Sequence, residues 1–138
     1  MARTNGGIIG KVNKSSFGKC KVTSKTSTGN ITTQPGTRTI QALIIAGGGS
    51  GGGCGTHGHG SGGGAGGLTC TEITVCGNTA YPATIGAGGA NSNNNSNTGG
   101  SNTVFVAGAT YTSCGGGKGS QASPSPFPGP SSAGGSGG

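Results

Sequence analysis

The side chains able to do chemistry are few and widely spaced. The chain has cysteines at Cys20, Cys54, Cys70, Cys76 and Cys114, histidines at His57 and His59, and one carboxylate side chain, Glu72. The densest group is Cys54-Gly-Thr-His57-Gly-His59, which has Cys-x2-His and His-x-His spacing. With Cys70 and Cys76 it could complete a tetrahedral Cys/His set for Zn²⁺. Paired Cys-x2-Cys knuckles are missing, however, and glycine flanks both histidines, so no metal ligand is assigned. Disulfides are the other reading. Cys70 and Cys76 lie on one face of one strand, about 20 Å apart if extended, and cannot bridge without a turn. Cys54, Cys70, Cys76 and Cys114 could pair across strands, leaving Cys20 odd. Free buried thiols are the expectation for a protein folding in a reducing cytoplasm.

Catalysis has little to work with. One carboxylate cannot serve as both general acid and general base. A Cys–His pair needs a third, orienting group and a stable cleft, and neither is visible. Gly58-His-Gly-Ser-Gly-Gly63 fits Gly-x-Gly-x-x-Gly, but no helix follows to supply its dipole to a phosphate. Gly117-Lys118-Gly119 lacks the Ser or Thr of a phosphate loop. No enzyme, no catalytic residue and no cofactor are expected.

The elements that would have to hold any site are unusual. Of 138 residues, 36 are Gly and 6 Pro, about 30% together, the level at which low complexity is the default expectation. Hydrophobic residues make 28% and charged residues 7%. Glycine runs cost roughly 1 kcal/mol per residue against Ala in a helix, so a helical domain is excluded. The longest apolar run, Ala42–Ala46, is far short of the roughly 20 residues of a membrane helix. No secretory leader is visible after Met1, and no membrane insertion is expected.

Formal net charge is +7, and it is uneven. Arg3, Lys11, Lys14, Lys19, Lys21, Lys25 and Arg38 lie in the first 38 residues, and Lys118 alone lies beyond them. Residues 1–38 therefore read as a basic docking arm with a short hairpin, made from Lys19–Thr23 and Asn30–Thr33. Phe17 is its sole aromatic and Arg-Gly-Gly repeats are absent, so a single-strand nucleic-acid binder is not expected.

Residues 39–120 read as a glycine-rich β domain. Gln34-Pro-Gly-Thr37 has type II turn order. Thr37–Ala46 alternates and then becomes apolar throughout, as a strand entering a core does. Leu68–Cys76 alternates well, with Leu68, Cys70, Glu72, Thr74 and Cys76 on one face and Thr71, Ile73 and Val75 on the other. Gly77-Asn78 turns the chain, and Tyr81–Ile85 is a short strand that Pro82 places at an edge. Thr103–Ala107 and Ala109–Thr112 form a strand or hairpin. Residues 121–138, rich in Pro, Gly and Ser, form an extended tail. The fold class is mainly β with long irregular glycine-rich segments and no helix. The glycine tracts are either flexible loops or left-handed extended helices packed side by side as polyglycine II. The second needs backbones that approach closely because no Cβ intervenes, with N–H and C=O groups pairing between tracts.

The order of these pieces is distinctive: Ala42-Leu-Ile-Ile-Ala-Gly-Gly-Gly, a loop ending Gly63-Gly-Ala-Gly-Gly-Leu68, a hairpin ending Ala83-Thr-Ile-Gly-Ala-Gly-Gly89, then Gly100-Ser-Asn-Thr-Val-Phe105, then glycines from Cys114 to Gly119. It resembles the glycine-rich domain of bacteriophage tail-fibre and adhesin-like virion proteins, over roughly residues 40–120. Asn5-Gly-Gly-Ile-Ile-Gly-Lys-Val-Asn resembles an N-terminal segment of structural proteins of marine phages. The likeness implies a surface role, with glycine-rich tips of some members touching the host. The five cysteines depart from it, as does the lack of a closing apolar strand after the last glycines.

Together these readings give a virion structural protein, assembled in the host cytoplasm. Ile8, Ile9, Lys11, Lys14, Phe17, Lys19 and Lys21 would dock on other virion proteins of capsid or tail. Tyr81, Asn93, Asn94, Asn95 and Phe127 would meet a host surface receptor. A small core asks for copies of itself, and phage fibres suggest a homotrimer by analogy. The alternatives are a capsid decoration or cement protein and a secreted glycine-rich filament subunit.

Overall fold

A computed structural model describes residues 21–52, 61–91 and 97–120. Six strands appear in chain order: β1 (Gly29–Thr32), β2 (Thr39–Ile45), β3 (Leu68–Thr74), β4 (Ala80–Thr84), β5 (Thr103–Ala107) and β6 (Ala109–Ser113). They make two antiparallel sheets, one ordered β1-β4-β5-β6 and one of β2 and β3. The described residues are mainly β, and none is helical.

Alternation decides which face of each strand is buried. From β2 and β3, Ile40, Ala42, Ile44 and Ile73 turn inward, followed by Val75 just past β3. From the larger sheet, Ile31, Tyr81, Ala83, Phe105, Ala107 and Tyr111 meet them. This is a small core, and Ile73 is its most enclosed apolar residue at 1% exposure. A polar link also joins the sheets: the buried Ser113 hydroxyl donates to the Ile44 carbonyl at 2.9 Å and bonds the Thr69 hydroxyl at 2.8 Å.

Turns follow their residue types. Gly36 sits at φ 85° after Pro35, and Thr37 N–H returns to the Gln34 carbonyl, as a type II turn requires. Asn78 takes φ 56°, the left-handed region Asn tolerates.

Three expectations are corrected. The hairpin within residues 19–33 does not form: residues 21–26 carry no strand, Val22 is 89% exposed, and β1 pairs with β4 instead. That pairing also attaches the end of the basic segment to the body. β4 is not an edge strand, since β1 and β5 flank it. Its register explains how Pro82 is accommodated: Pro82 faces Asn30 of β1, whereas β5 pairs only with Ala83 and Thr84. Thr33 N–H bonds the Thr79 carbonyl, so in the alternating ladder Asn30 and Pro82 form a non-bonded pair, and the Pro82 nitrogen turns to the β5 side, where no residue pairs with it. The apolar run of β2 is not all core, because Leu43 and Ile45 lie on the outer face and are exposed.

Candidate contact surface

Four strands run directly into or out of glycine-rich tracts, and a fifth tract leaves β6. The first tract, residues 46–52, continues β2. The second, 61–67, leads into β3. The third, 86–90, follows β4; the fourth, 97–102, leads into β5; the fifth, 114–120, continues β6.

Their hydrogen bonds repeat every third residue. Ala46, Gly49 and Gly52 N–H groups donate to the Gly67, Gly64 and Ser61 carbonyls of the second tract. One step along, Gly47 and Ser50 donate to Ser101 and Thr98 of the fourth. The first tract's carbonyls do the same: Gly47 and Ser50 accept from Gly116 and Gly119 of the fifth, and Gly48 accepts from Gly89 of the third. Gly51 accepts from the buried Asn97 side-chain amide at 2.8 Å. A β-ladder repeats every second residue and joins two neighbours. A three-residue period reaching several neighbours belongs to an extended helix of three residues per turn.

The outer tracts are joined in turn. The second and fifth meet through Gly64 to Gly117 and Gly67 to Cys114. The fifth meets the fourth through Gly100 to Gly116, and the fourth meets the third through Ser101 to Ala87 and Thr98 to Ala90. The first tract is thus central, and the order around it is second, fifth, fourth, third. It donates to the second, accepts from the fifth, donates to the fourth and accepts from the third.

Sterics explain the glycines. No tract glycine has a positive φ. What the tracts require is close approach: a Cβ on Gly49 would fall on the Gly117 carbonyl, and one on Gly47 on the Ala87 carbonyl. Gly62, by contrast, faces open space. Side chains also finish the bonding where backbone partners run out. The Asn102 side chain accepts from Gly115 N–H, and Thr103 Oγ1 accepts from Gly86 N–H.

One end of this bundle gathers the boundaries of the remaining segments. Ser61 is bonded to both Gly52 and Ser120, and Asn97 is bonded to Gly51. Gly52, Ser61, Asn97 and Ser120, which border the stretches 53–60, 92–96 and 121–138 in the sequence, thus lie at the end of the bundle remote from the sheets.

The residues singled out by sequence are placed as follows. Lys21 is exposed in an irregular stretch. Ile8, Ile9, Lys11, Lys14, Phe17 and Lys19 lie outside the described residues, as do Asn93, Asn94, Asn95, Phe127, Cys20, Cys54, His57 and His59. Tyr81 lies on β4, packed against the core. It is half-buried, its ring centroid lies 6.2 Å from that of Phe105, and its hydroxyl accepts from Cys76 N–H at 2.7 Å. Cys70, Cys76 and Cys114 are free thiols, but exposed rather than buried, because each falls on an outward position. Among the described residues no group of three His, Cys, Asp or Glu could hold a metal.

Sequence reasoning missed the outer face of the small sheet, where Leu43, Ile45 and Leu68 are 61%, 53% and 63% exposed. Extending the early alternation of β2 would have found Leu43 and Ile45. It also missed the buried polar residues Ser50, Asn97 and Ser113, whose partners are distant in sequence.

A family model described as a glycine-rich domain matches residues 23–138, and the chain belongs to that family. No curated protein and no solved structure matches it.

Proposed function

We propose that this is a phage virion structural protein, a surface fibre or appendage component displaying its glycine-rich body for host contact. Residues before the body, including Ile8, Ile9, Lys11, Lys14, Phe17, Lys19 and Lys21, dock it on other virion proteins. It acts by contact and assembles as a homotrimer.

The observation that carries the reading is that Gly52, Ser61, Asn97 and Ser120, which border three further stretches of chain, gather at one end of the bundle. By sequence, the stretches that these residues border hold Asn93, Asn94 and Asn95, His57 and His59, and Phe127. A bonded, nearly uncharged glycine bundle bordered by stretches rich in polar residues suits recognition of a surface. Recognition residues commonly sit on loops held by a rigid scaffold. The resemblance in tract order supports the virion setting.

Electron microscopy of phage particles, labelled with antibody against residues 91–98, tests the proposal. Label at the ends of tail appendages is expected. Uniform label on the head would replace the fibre reading with a decoration protein, and unlabelled particles would overturn both.

A further inference from the structure

The outer face of the small sheet runs on into the open side of the glycine bundle. On that face the residues of β2 and β3 pair across the strands: Thr39 with Thr74, Gln41 with Glu72, Leu43 with Cys70, and Ile45 with Leu68. The opposite, inward face of β2 packs on β5 and β6. The fourth and fifth tracts, joined to β5 and β6, bond the first tract from that same inward side. The side of the first tract away from them therefore continues the outer face of β2. Gly48 and Gly51 lie on it: they are half-buried and exposed, where Gly47 and Ser50 are buried. Their N–H groups have no acceptor among the described residues, and the carbonyls of Gly63 and Gly66 on the adjoining second tract have no donor there.

This surface is apolar at the sheet end and bare backbone at the tract end. Leu43, Ile45 and Leu68 are 61%, 53% and 63% exposed. Together they leave apolar area on the order of 300 Å², in the range of patches that carry function. Glu72 is the one charged side chain among the outward residues of the small sheet. Residues 39–45 span about 23 Å as a strand, and residues 46–52 span about 22 Å as an extended helix. Two neighbouring chains are about 10 Å wide. Two such faces in contact bury on the order of 1,000 Å², the least that a specific interface needs.

We infer that this surface is where copies of the chain meet, each turning the same face inward. Two features select another copy over a different partner. The free donors at Gly48 and Gly51 and the free acceptors at Gly63 and Gly66 are each three residues apart, the spacing at which the chain's own tracts bond one another. A second copy presents donors and acceptors at that spacing, whereas an ordinary strand repeats every second residue. Each copy also carries a formal charge of +7, and this face sets no cation among its outward sheet residues, so copies meet here with the least repulsion. The area is small, so the contact is weak and the dilute chain keeps Cys70 open to solvent. The inference rests on the reading that the protein assembles from copies of itself, and it names the surface they share.

Analytical ultracentrifugation of the purified full chain tests it. Association that rises with concentration is expected, and Leu43→Thr/Leu68→Thr should weaken it at least about tenfold. Val106→Thr, on the outward face of the larger sheet, should leave it unchanged. Alkylation of Cys70 should slow about tenfold from dilute to concentrated protein while Cys114 keeps its rate. That readout needs no substitution and serves if the double variant fails to fold. A chain that stays monomeric at millimolar concentration would overturn the inference. Association indifferent to Leu43→Thr/Leu68→Thr, association lost equally in Val106→Thr, or an unchanging Cys70 rate would also overturn it. Labelled phage particles with a monomeric chain would remove this inference alone, and association through this face with unlabelled particles would remove the virion reading alone.

Discussion

Gly49 donates its N–H to the Gly64 carbonyl at 2.8 Å, and Gly64 passes the bond on, donating its own N–H to Gly117 at 2.8 Å. Three tracts are thereby tied through one pair of glycines. The side of Gly49 where a Cβ would stand is filled by the Gly117 carbonyl. The glycines here are packing residues whose lack of a side chain is what allows the contact.

Substitutions should separate these glycines sharply. Gly49→Ala forces backbones apart and is expected to cost about 3 kcal/mol or more, at the upper end of overpacking penalties. Gly62→Ala, whose Cβ meets nothing, is expected to be neutral or to stabilise by about 0.4–1 kcal/mol through the unfolded chain. Urea unfolding of the two variants measures this. Equal, small effects would mean the tracts are not packed.

Ser113 supplies the polar link between the sheets. Ser113→Ala removes the hydroxyl bonded to the Ile44 carbonyl and Thr69 and should destabilise by about 1–3 kcal/mol. Thr112→Ala, exposed on the same strand, should stay within about 0.5 kcal/mol. Thermal melts of both variants check the contrast.

Tyr81 ties the turn after β3 to β4 through its hydroxyl. Tyr81→Phe leaves Cys76 N–H without its acceptor and should cost about 0.5–1.5 kcal/mol in denaturant unfolding. Unchanged stability in this variant would contradict the placement.

The thiols give an independent reading of exposure. Cys70, Cys76 and Cys114 should be alkylated in the native protein at rates close to those in denaturant, as exposed thiols are. Mass spectrometry of the labelled peptides reports each site, and protection lifted only by denaturant would place these side chains inside.

Much of the strand layout was legible because side chains alternate. Leu68–Thr74 shows its two faces outright, and Pro35-Gly36 and Gly77-Asn78 announce their turns. The partner of β1 was not legible, because Asn30 and Pro82 carry no signal that they meet. The tract pairings were hidden for a related reason. Glycine has no side chain to betray a face, so nothing marks Gly49 as the partner of Gly64 rather than Gly100. The open spacing of Ala and Ser suggested packed helices without saying which tract would be central. Cys114 follows β6 at an outward position, which its glycine neighbours could not reveal.

Scalar couplings measured by NMR across hydrogen bonds report donor and acceptor directly. They should link Gly49 N–H to the Gly64 carbonyl, Gly47 N–H to Ser101, and Gly116 N–H to Gly47 in a uniformly labelled sample. Couplings at this three-residue period would establish the glycine tracts as a bonded bundle. Tracts without such couplings, with amides exchanging at unfolded rates, would contradict it.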